Sequence, residues 1–191
     1  MEPLFAINDK QMFYKYLDNS KIYFEYGSGG STYQASIRNN IIKIYSVESD
    51  KQWQYILKQK ITSNNVIYFF NEMDVTPNTW GNPGPNSTQI QQINYSNYIR
   101  KLPRDTGKSI DLILIDGRYR VACCLKCFDI INKDCLICFD DFLDRPEYHV
   151  VLDYYDIVEN TTDNRMVILQ KKNSVDFISE ELIQQYELIA C

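Results

Sequence analysis

Five short apolar runs, at 22–26, 42–48, 66–70, 110–115 and 136–139, alternate with stretches of helical periodicity, and no other feature constrains the fold as much. Strands that alternate with helices build a parallel sheet, because parallel neighbours need a long crossover and the crossover is usually a helix. Leu112-Ile113-Leu114-Ile115 is apolar at every position, so this strand is expected in mid-sheet with helices over both faces. Helices are predicted over 9–18, 32–39, 50–61, 121–131, 147–155 and 179–190, the last started by Ser179 with Glu180 and Glu181 behind it. Near the C-terminus, 156–159 and 166–171 read as two strands joined by a hairpin through Asn160-Thr161-Thr162-Asp163-Asn164. Over 76–88, Pro77, Gly81, Pro83, Gly84 and Pro85 forbid a regular element, and long loops of this kind in compact domains are often binding loops or lids.

A chain of 191 residues suits one domain, taken as 1–191 with its core at 22–171. Hydrophobic residues at 45% and charged residues at 24% are ordinary for a soluble globular protein, and no apolar run is long enough to cross a bilayer. Residues 1–6 lack the basic start and apolar centre of a secretory signal, so cytoplasmic residence is expected. A net charge of -5 argues against electrostatic capture of nucleic acid. Abundant Asn, Ile, Lys and Tyr points to an AT-rich coding sequence, as in some large DNA viruses, which would make the location a host cytoplasm. Cys124-x-x-Cys127 and Cys135-x-x-Cys138 imitate a four-thiolate zinc signature. Cys135 and Cys138 straddle an apolar strand, where residues three apart face opposite sides, so the cysteines are expected to be small buried thiols instead.

The segment Tyr23-Phe24-Glu25-Tyr26-Gly27-Ser28-Gly29-Gly30-Ser31-Thr32 ends a β-rich approach with an acid and a glycine turn before a helix-like stretch. Glycines let the backbone turn sharply and approach a ligand closely, and the first N–H groups of a helix make a polar rim. A dinucleotide loop of the G-x-G-x-x-G type would need glycine where Thr32 stands. The chain resembles class I S-adenosylmethionine-dependent methyltransferases, whose first strand ends in Glu/Asp-x-Gly-x-Gly, matched here by Glu25, Tyr26, Gly27, Ser28 and Gly29. The resemblance implies an α/β, Rossmann-like, doubly wound and mostly parallel seven-stranded sheet with an antiparallel C-terminal strand and helices on both faces. It implies S-adenosyl-L-methionine as cofactor, its methionine end against Glu25, Gly27 and Gly29 and its ribose on Glu48. Glu48 also lies about twenty residues past the glycine turn, the distance at which a carboxylate can accept from a ribose diol. Ser28, Ser31, Thr32, Ser49 and Asp116 complete the expected contacts, and Asp74 or Glu72 would meet the adenine amino group unless it is a solvated loop carboxylate.

Ligands of open α/β sheets lie beyond the carboxyl ends of the strands, and Glu25, Glu48, Asp116 and Asp140-Asp141 end four of the five runs. The spacing of Asp116 and Asp140-Asp141 resembles the small metal-dependent O-methyltransferases that act on catechols, phenylpropanoids or sugars. That resemblance implies Mg²⁺ or Mn²⁺ on Asp116, Asp140 and Asp141, with Asp116 also catalytic. The plainer alternative is that Asp141 caps a turn and Asp140 pairs with an arginine, and some sugar-specific relatives carry a further Asp where Arg118 stands. His149, the only histidine, is expected either to take the hydroxyl proton or to be structural. Arg118 and Arg120 are expected to grip a carboxylate or diphosphate, or to pair with nearby acids. Trp80, Tyr95 and Tyr98 are candidates for stacking on the acceptor, or for simple packing. The predicted activity is methyl transfer to a hydroxyl of a sugar, glycan or nucleotide sugar. The alternatives are another acceptor (phenolic, protein or RNA) or a non-catalytic scaffold. Expected partners are the small-molecule or glycan acceptor, a second copy in a homodimer and a glycosyltransferase.

Overall fold

The computed structural model describes residues 1–162 and 165–191, so Asp163 and Asn164 of the expected hairpin lie outside the described residues. In chain order the elements are α1 (Ile7–Leu17), β1 (Ile22–Tyr26), α2 (Gly30–Ser36), β2 (Lys43–Glu48), α3 (Lys51–Lys60), β3 (Val66–Phe70), α4 (Gln89–Ser96) and α5 (Arg104–Lys108). There follow β4 (Leu112–Ile115), α6 (Arg120–Cys127), β5 (Leu136–Phe139), β6 (Tyr155–Asn160), β7 (Val167–Lys171) and α7 (Glu180–Tyr186). The seven strands form one sheet in the order β3-β2-β1-β4-β5-β7-β6. The first five are parallel, and β7 runs antiparallel to both β5 and β6. Strand order reverses between β1 and β4, which opens a crevice beyond their carboxyl ends.

Each face of the sheet carries its own core. Phe24, Tyr26, Ile113, Ile115 and Phe139 pack with α6 and α7 on one side, while Tyr23, Leu112, Leu114 and Ile168 pack with Phe13 and Leu17 of α1 on the other. The four residues of β4 divide evenly between the two clusters, which is why an uninterrupted apolar run was required there. Cys135 joins the first cluster and Cys138 the second, so these two thiols face opposite sides as the strand period demands.

Local chemistry sets the helix ends. Asp50 accepts from Trp53 N at 2.9 Å and starts α3, and Ser179 accepts from Leu182 N at 3.3 Å and starts α7. Expected helix 121–131 stops early, at Cys127, where Ile130 N and Ile131 N both turn back to Cys127 O at 3.0 and 3.1 Å. The segment expected as a helix at 147–155 winds instead as a 3-10 turn over Pro146–Asp153. Its β-branched Val150-Val151 pair is a poor α former, and short 3-10 pieces commonly serve as connectors. Among the described residues no helix is long and apolar enough to cross a membrane.

Candidate active site

On the β1–β2 side the crevice is floored by a hydroxyl-rich knot. Gly27 sits at φ 93°, and a Cβ there would lie 2.9 Å from Gly117 N, so only glycine fits where the ends of β1 and β4 touch. Gly117 is equally constrained, since its Cβ would meet Tyr95 Oη at 2.1 Å. Beneath the turn, Glu25 is fully buried and accepts from Tyr23 Oη (2.8 Å), Ser31 Oγ (2.7 Å), Ser46 Oγ (2.6 Å) and Thr32 Oγ1. Burial pushes its carboxyl up and the hydroxyls pull it back. Ser46 gives its one proton to Glu25, so Ser28 Oγ is the donor in the 2.6 Å Ser28–Ser46 contact.

Glu48, only 7% exposed, holds the turn from the β2 side. Oε2 accepts from Ser28 N at 3.2 Å, and Oε1 accepts from Ser49 N and Asp50 N, both at 2.7 Å. Burial outweighs these donors and pushes the carboxyl up to about 7. Trp53 Nε1 donates to Ser28 O at 2.7 Å and fixes the outer side of the loop.

The Pro/Gly loop roofs this crevice. Asp74 Oδ2 accepts from Asn86 N at 2.9 Å and Asp74 O from Gly84 N at 2.8 Å, closing the loop at its base. At its tip, Arg118 donates to Trp80 O at 2.9 Å and to Thr79 O at 3.1 Å. A Cβ on Gly81, which has φ 81°, would stand 3.5 Å from Ser49 Oγ and 4.0 Å from Arg118 Cγ, so the loop spans from the β2 end to the β4 end. Trp80 occupies the left-handed region at φ 58°, with 78% of its surface exposed.

On the β4–β5 side, Asp116, Asp140 and Asp141 converge on one guanidinium. Arg120 lies 3.1 Å from Asp116 Oδ1, 3.4 Å from Asp141 Oδ2 and 3.9 Å from Asp140 Oδ2. Asp141, at φ 56°, also pairs with Arg145 at 3.0 Å and with Arg165, and these cations hold its carboxyl below the usual range. Burial and the neighbouring carboxylates push Asp140 the other way.

The sequence matches no protein-family model and no curated protein. Solved structures do match it. A methyltransferase-like protein from Silicibacter pomeroyi superposes with a TM-score of 0.82 at 22% identity, over 100% of this chain and 98% of that one. The chain is also similar to a ribosomal protein L11 methylase from Lactobacillus delbrueckii subsp. bulgaricus, with a TM-score of 0.59 and 11% identity over 90% of this chain and 82% of that one. A precorrin-6y C5,15-methyltransferase from Geobacter metallireducens gives 0.51 and 14% over 88% and 92%. This chain has the Rossmann-like methyltransferase fold.

Within that fold the expected residues separate into those that face the crevice and those that build it. Gly27, Ser28, Glu48 and Ser49 surround the turn, whereas Glu25, Ser31 and Thr32 point inward and support it from below. Gly29 has an extended φ of 176°, and a Cβ there would make only an ordinary contact with Trp53 Cζ2 at 4.0 Å, so no glycine is needed there. At Gly30 a Cβ would lie 2.2 Å from Glu2 C; the backbone of Glu2 and Pro3, not a ligand, uses this close approach. Asp74 spends its carboxylate on the loop base, and Glu72 is exposed.

Several expected substrate contacts are corrected. Tyr95 is 2% exposed and packs between Tyr26 and Tyr119, and Tyr98 lies against Phe69 and donates to Phe70 O at 2.6 Å, so neither stands beside Trp80. Arg120 is spent on the strand-end acids and on carbonyls, and Arg118 on the loop. The carboxylates of Asp116, Asp140 and Asp141 gather around the Arg120 guanidinium and not around an open cation site. Among the described residues no group of three or more His, Cys, Asp or Glu is arranged to hold a metal ion, so Mg²⁺ or Mn²⁺ does not fit. His149 Nε2 lies 3.1 Å from Phe142 O; a carbonyl only accepts, so Nε2 carries the proton and Nδ1 is left as the acceptor. Gly117, Trp53 and Ser46 were not singled out in the sequence. The Asp116-Gly117 pair directly after an apolar run was the available signal for the first of these.

Proposed function

We propose that the chain is an S-adenosyl-L-methionine-dependent O-methyltransferase acting on a hydroxyl of a sugar, glycan or nucleotide sugar. The observation that carries the cofactor part is the Gly27–Glu48 cradle. A turn that only glycine can make lies beside a buried carboxylate that keeps unused acceptor capacity after three backbone N–H bonds. The remaining site, on Oε2, can accept from one hydroxyl of a ribose. The bound cofactor would supply an electrophilic methyl group. The chain's own residues then bind the ribose through Glu48, exclude water with the 74–88 roof, and orient an acceptor near Asp116, whose side chain keeps 34% of its surface exposed. His149 Nδ1 is the group we assign to take the acceptor proton.

Acceptor class rests on Trp80, an indole held out at the mouth of the crevice where a sugar face can stack. Calorimetric titration with S-adenosyl-L-methionine is the first test: saturable binding lost in Glu48→Ala supports the cradle, and no binding by the wild type points to the non-catalytic scaffold. Screening glycosides and nucleotide sugars beside phenolics, protein and RNA tests the acceptor, and reaction with the latter groups alone sinks the sugar reading. A homodimer, cytoplasmic residence and association with a glycosyltransferase belong to the same proposal, the first testable by light scattering.

A further inference from the structure

The strand-end carboxylates have the composition of a divalent-cation site and already hold a cation of their own. Arg120, 6% exposed, is the first residue of α6 and reaches back across the ends of β4 and β5. Besides its three carboxylate neighbours, it donates from Nη1 to Asp140 O at 2.6 Å and from Nε to Gly117 O at 3.0 Å. We propose that Arg120 is a built-in replacement for a divalent metal, binding the β4 and β5 carboxylates together so that the acceptor is held without metal chelation.

Three features of the cluster support this. Its backbone is specialised on both sides, since Tyr119 before Arg120 and Asp141 after Asp140 are non-glycine residues in the left-handed region, at φ 57° and 56°. Such conformations persist where the surroundings over-determine them. Cations already occupy the acids: Arg120 lies among all three, and Arg145 and Arg165 both pair with Asp141, so an added divalent ion would meet guanidinium groups at close range. And guanidinium stays protonated at any working pH while filling a forked, multi-oxygen site. Resting on the methyltransferase reading, the consequence for substrate is that the acceptor need not present two adjacent oxygens to a metal. One hydroxyl, oriented by hydrogen bonds, is enough.

The test is Mn²⁺ binding followed by electron paramagnetic resonance, a readout that needs neither cofactor nor acceptor. Wild type is expected to show no saturable site and no change in Tm with Mn²⁺ or with chelator. Arg120→Ala, which vacates the space among the three acids, is expected to gain one Mn²⁺ per chain and a Tm rise of about 2–4 °C at saturation, both lost again in Arg120→Ala with Asp116→Asn. One stoichiometric Mn²⁺ on wild type, removed by Asp116→Asn, would overturn the proposal, as would a folded Arg120→Ala that takes up none. Arg120→Met keeps the apolar stem and serves the same comparison if the alanine variant does not fold. Failure of cofactor binding in calorimetry would instead strike at the methyltransferase reading and leave the Mn²⁺ result standing.

Discussion

Glu48 has an ordinary carboxyl value of 4.5 and stands at about 7 in the folded chain because burial outweighs its three backbone donors. With the folded value above the unfolded one, the protonated group favours the fold, and that contribution, present below about pH 4.5, is lost as pH rises through about 7. A ribose diol donates to the ionised form, so ligand binding pulls the other way. Cofactor affinity should therefore strengthen roughly tenfold per unit from pH 5.5 toward 7 and then level off, with proton release below the midpoint. Calorimetry in buffers of different ionisation enthalpy measures both, and a flat profile would mean Glu48 does not touch the ligand. Glu48→Gln should flatten the profile and weaken binding about 10–100-fold. The two glycines of the motif should part company in the same way. Gly27→Ala forces a side chain into φ 93° against Gly117 and should cost at least about 1–3 kcal/mol in urea unfolding. Gly29→Ala, extended and with its nearest neighbour 4.0 Å away, should cost under about 1 kcal/mol. The spacing of the motif was legible in the sequence, but which glycine is obligatory was not, because that depends on Gly117 arriving from a strand ninety positions later.

At the scale of elements, the strands were readable as apolar runs bounded by turn signals; β4, buried on both faces at every residue, is the clearest, whereas β3 at the sheet edge is only partly buried along its length. Helix α4 was not read, since Gln89 to Ser96 presents Gln and Asn through its length and little apolar stripe. Its start signal was nevertheless in place: Thr88 accepts from Gln91 N at 3.3 Å and Gln91 Oε1 accepts from Thr88 N at 2.9 Å, a capping box. Acidic strand ends were also readable, but whether they faced a metal or an arginine was decided by α6 placing Arg120 among them. The 74–88 loop was recognised by its Pro and Gly content, while its attachment to Arg118 is a tertiary fact. That attachment makes a prediction for the element. Arg118→Ala frees the carbonyls of Thr79 and Trp80, and should raise the acceptor KM and lower kcat while leaving cofactor affinity within about twofold. Arg118→Lys should not restore it, because an ammonium lacks the fork that spans two carbonyls. Trp80→Ala should raise the acceptor KM about 2–10-fold. In a Trp53→Phe background Trp80 is the one remaining tryptophan, and its emission should change when acceptor binds; an unchanged spectrum at saturating acceptor removes it from the site.

For the whole molecule, the question is whether the two cores on opposite faces of the sheet stand or fall together. A buried ion pair fastens the end of the chain to one of them: Lys126 Nζ in α6 meets Glu187 Oε1 at 2.5 Å and also donates to Ser96 Oγ at 2.8 Å. Glu187→Ala strands a fully buried ammonium and should cost about 3 kcal/mol, more than the pair itself adds over an apolar replacement. The six cysteines report on both faces at once. Cys123, Cys124, Cys127 and Cys135 lie in the α6–α7 core and Cys138 in the α1 core, while Cys191 is partly exposed. Burial raises the thiol pKa at each of the five interior positions, so they are poor nucleophiles until water reaches them. A disulfide-exchange reagent at pH 8 should therefore label Cys191 promptly and the other five at one common, slow rate that rises with urea along the slope of global unfolding. The common rate is expected because β4 contributes Leu112 and Leu114 to one core and Ile113 and Ile115 to the other, so neither can open without exposing the strand that holds the second. Labelling of Cys138 ahead of the remaining four, resolved by mass spectrometry, would show that the α1 face opens by itself and that the sheet does not couple them.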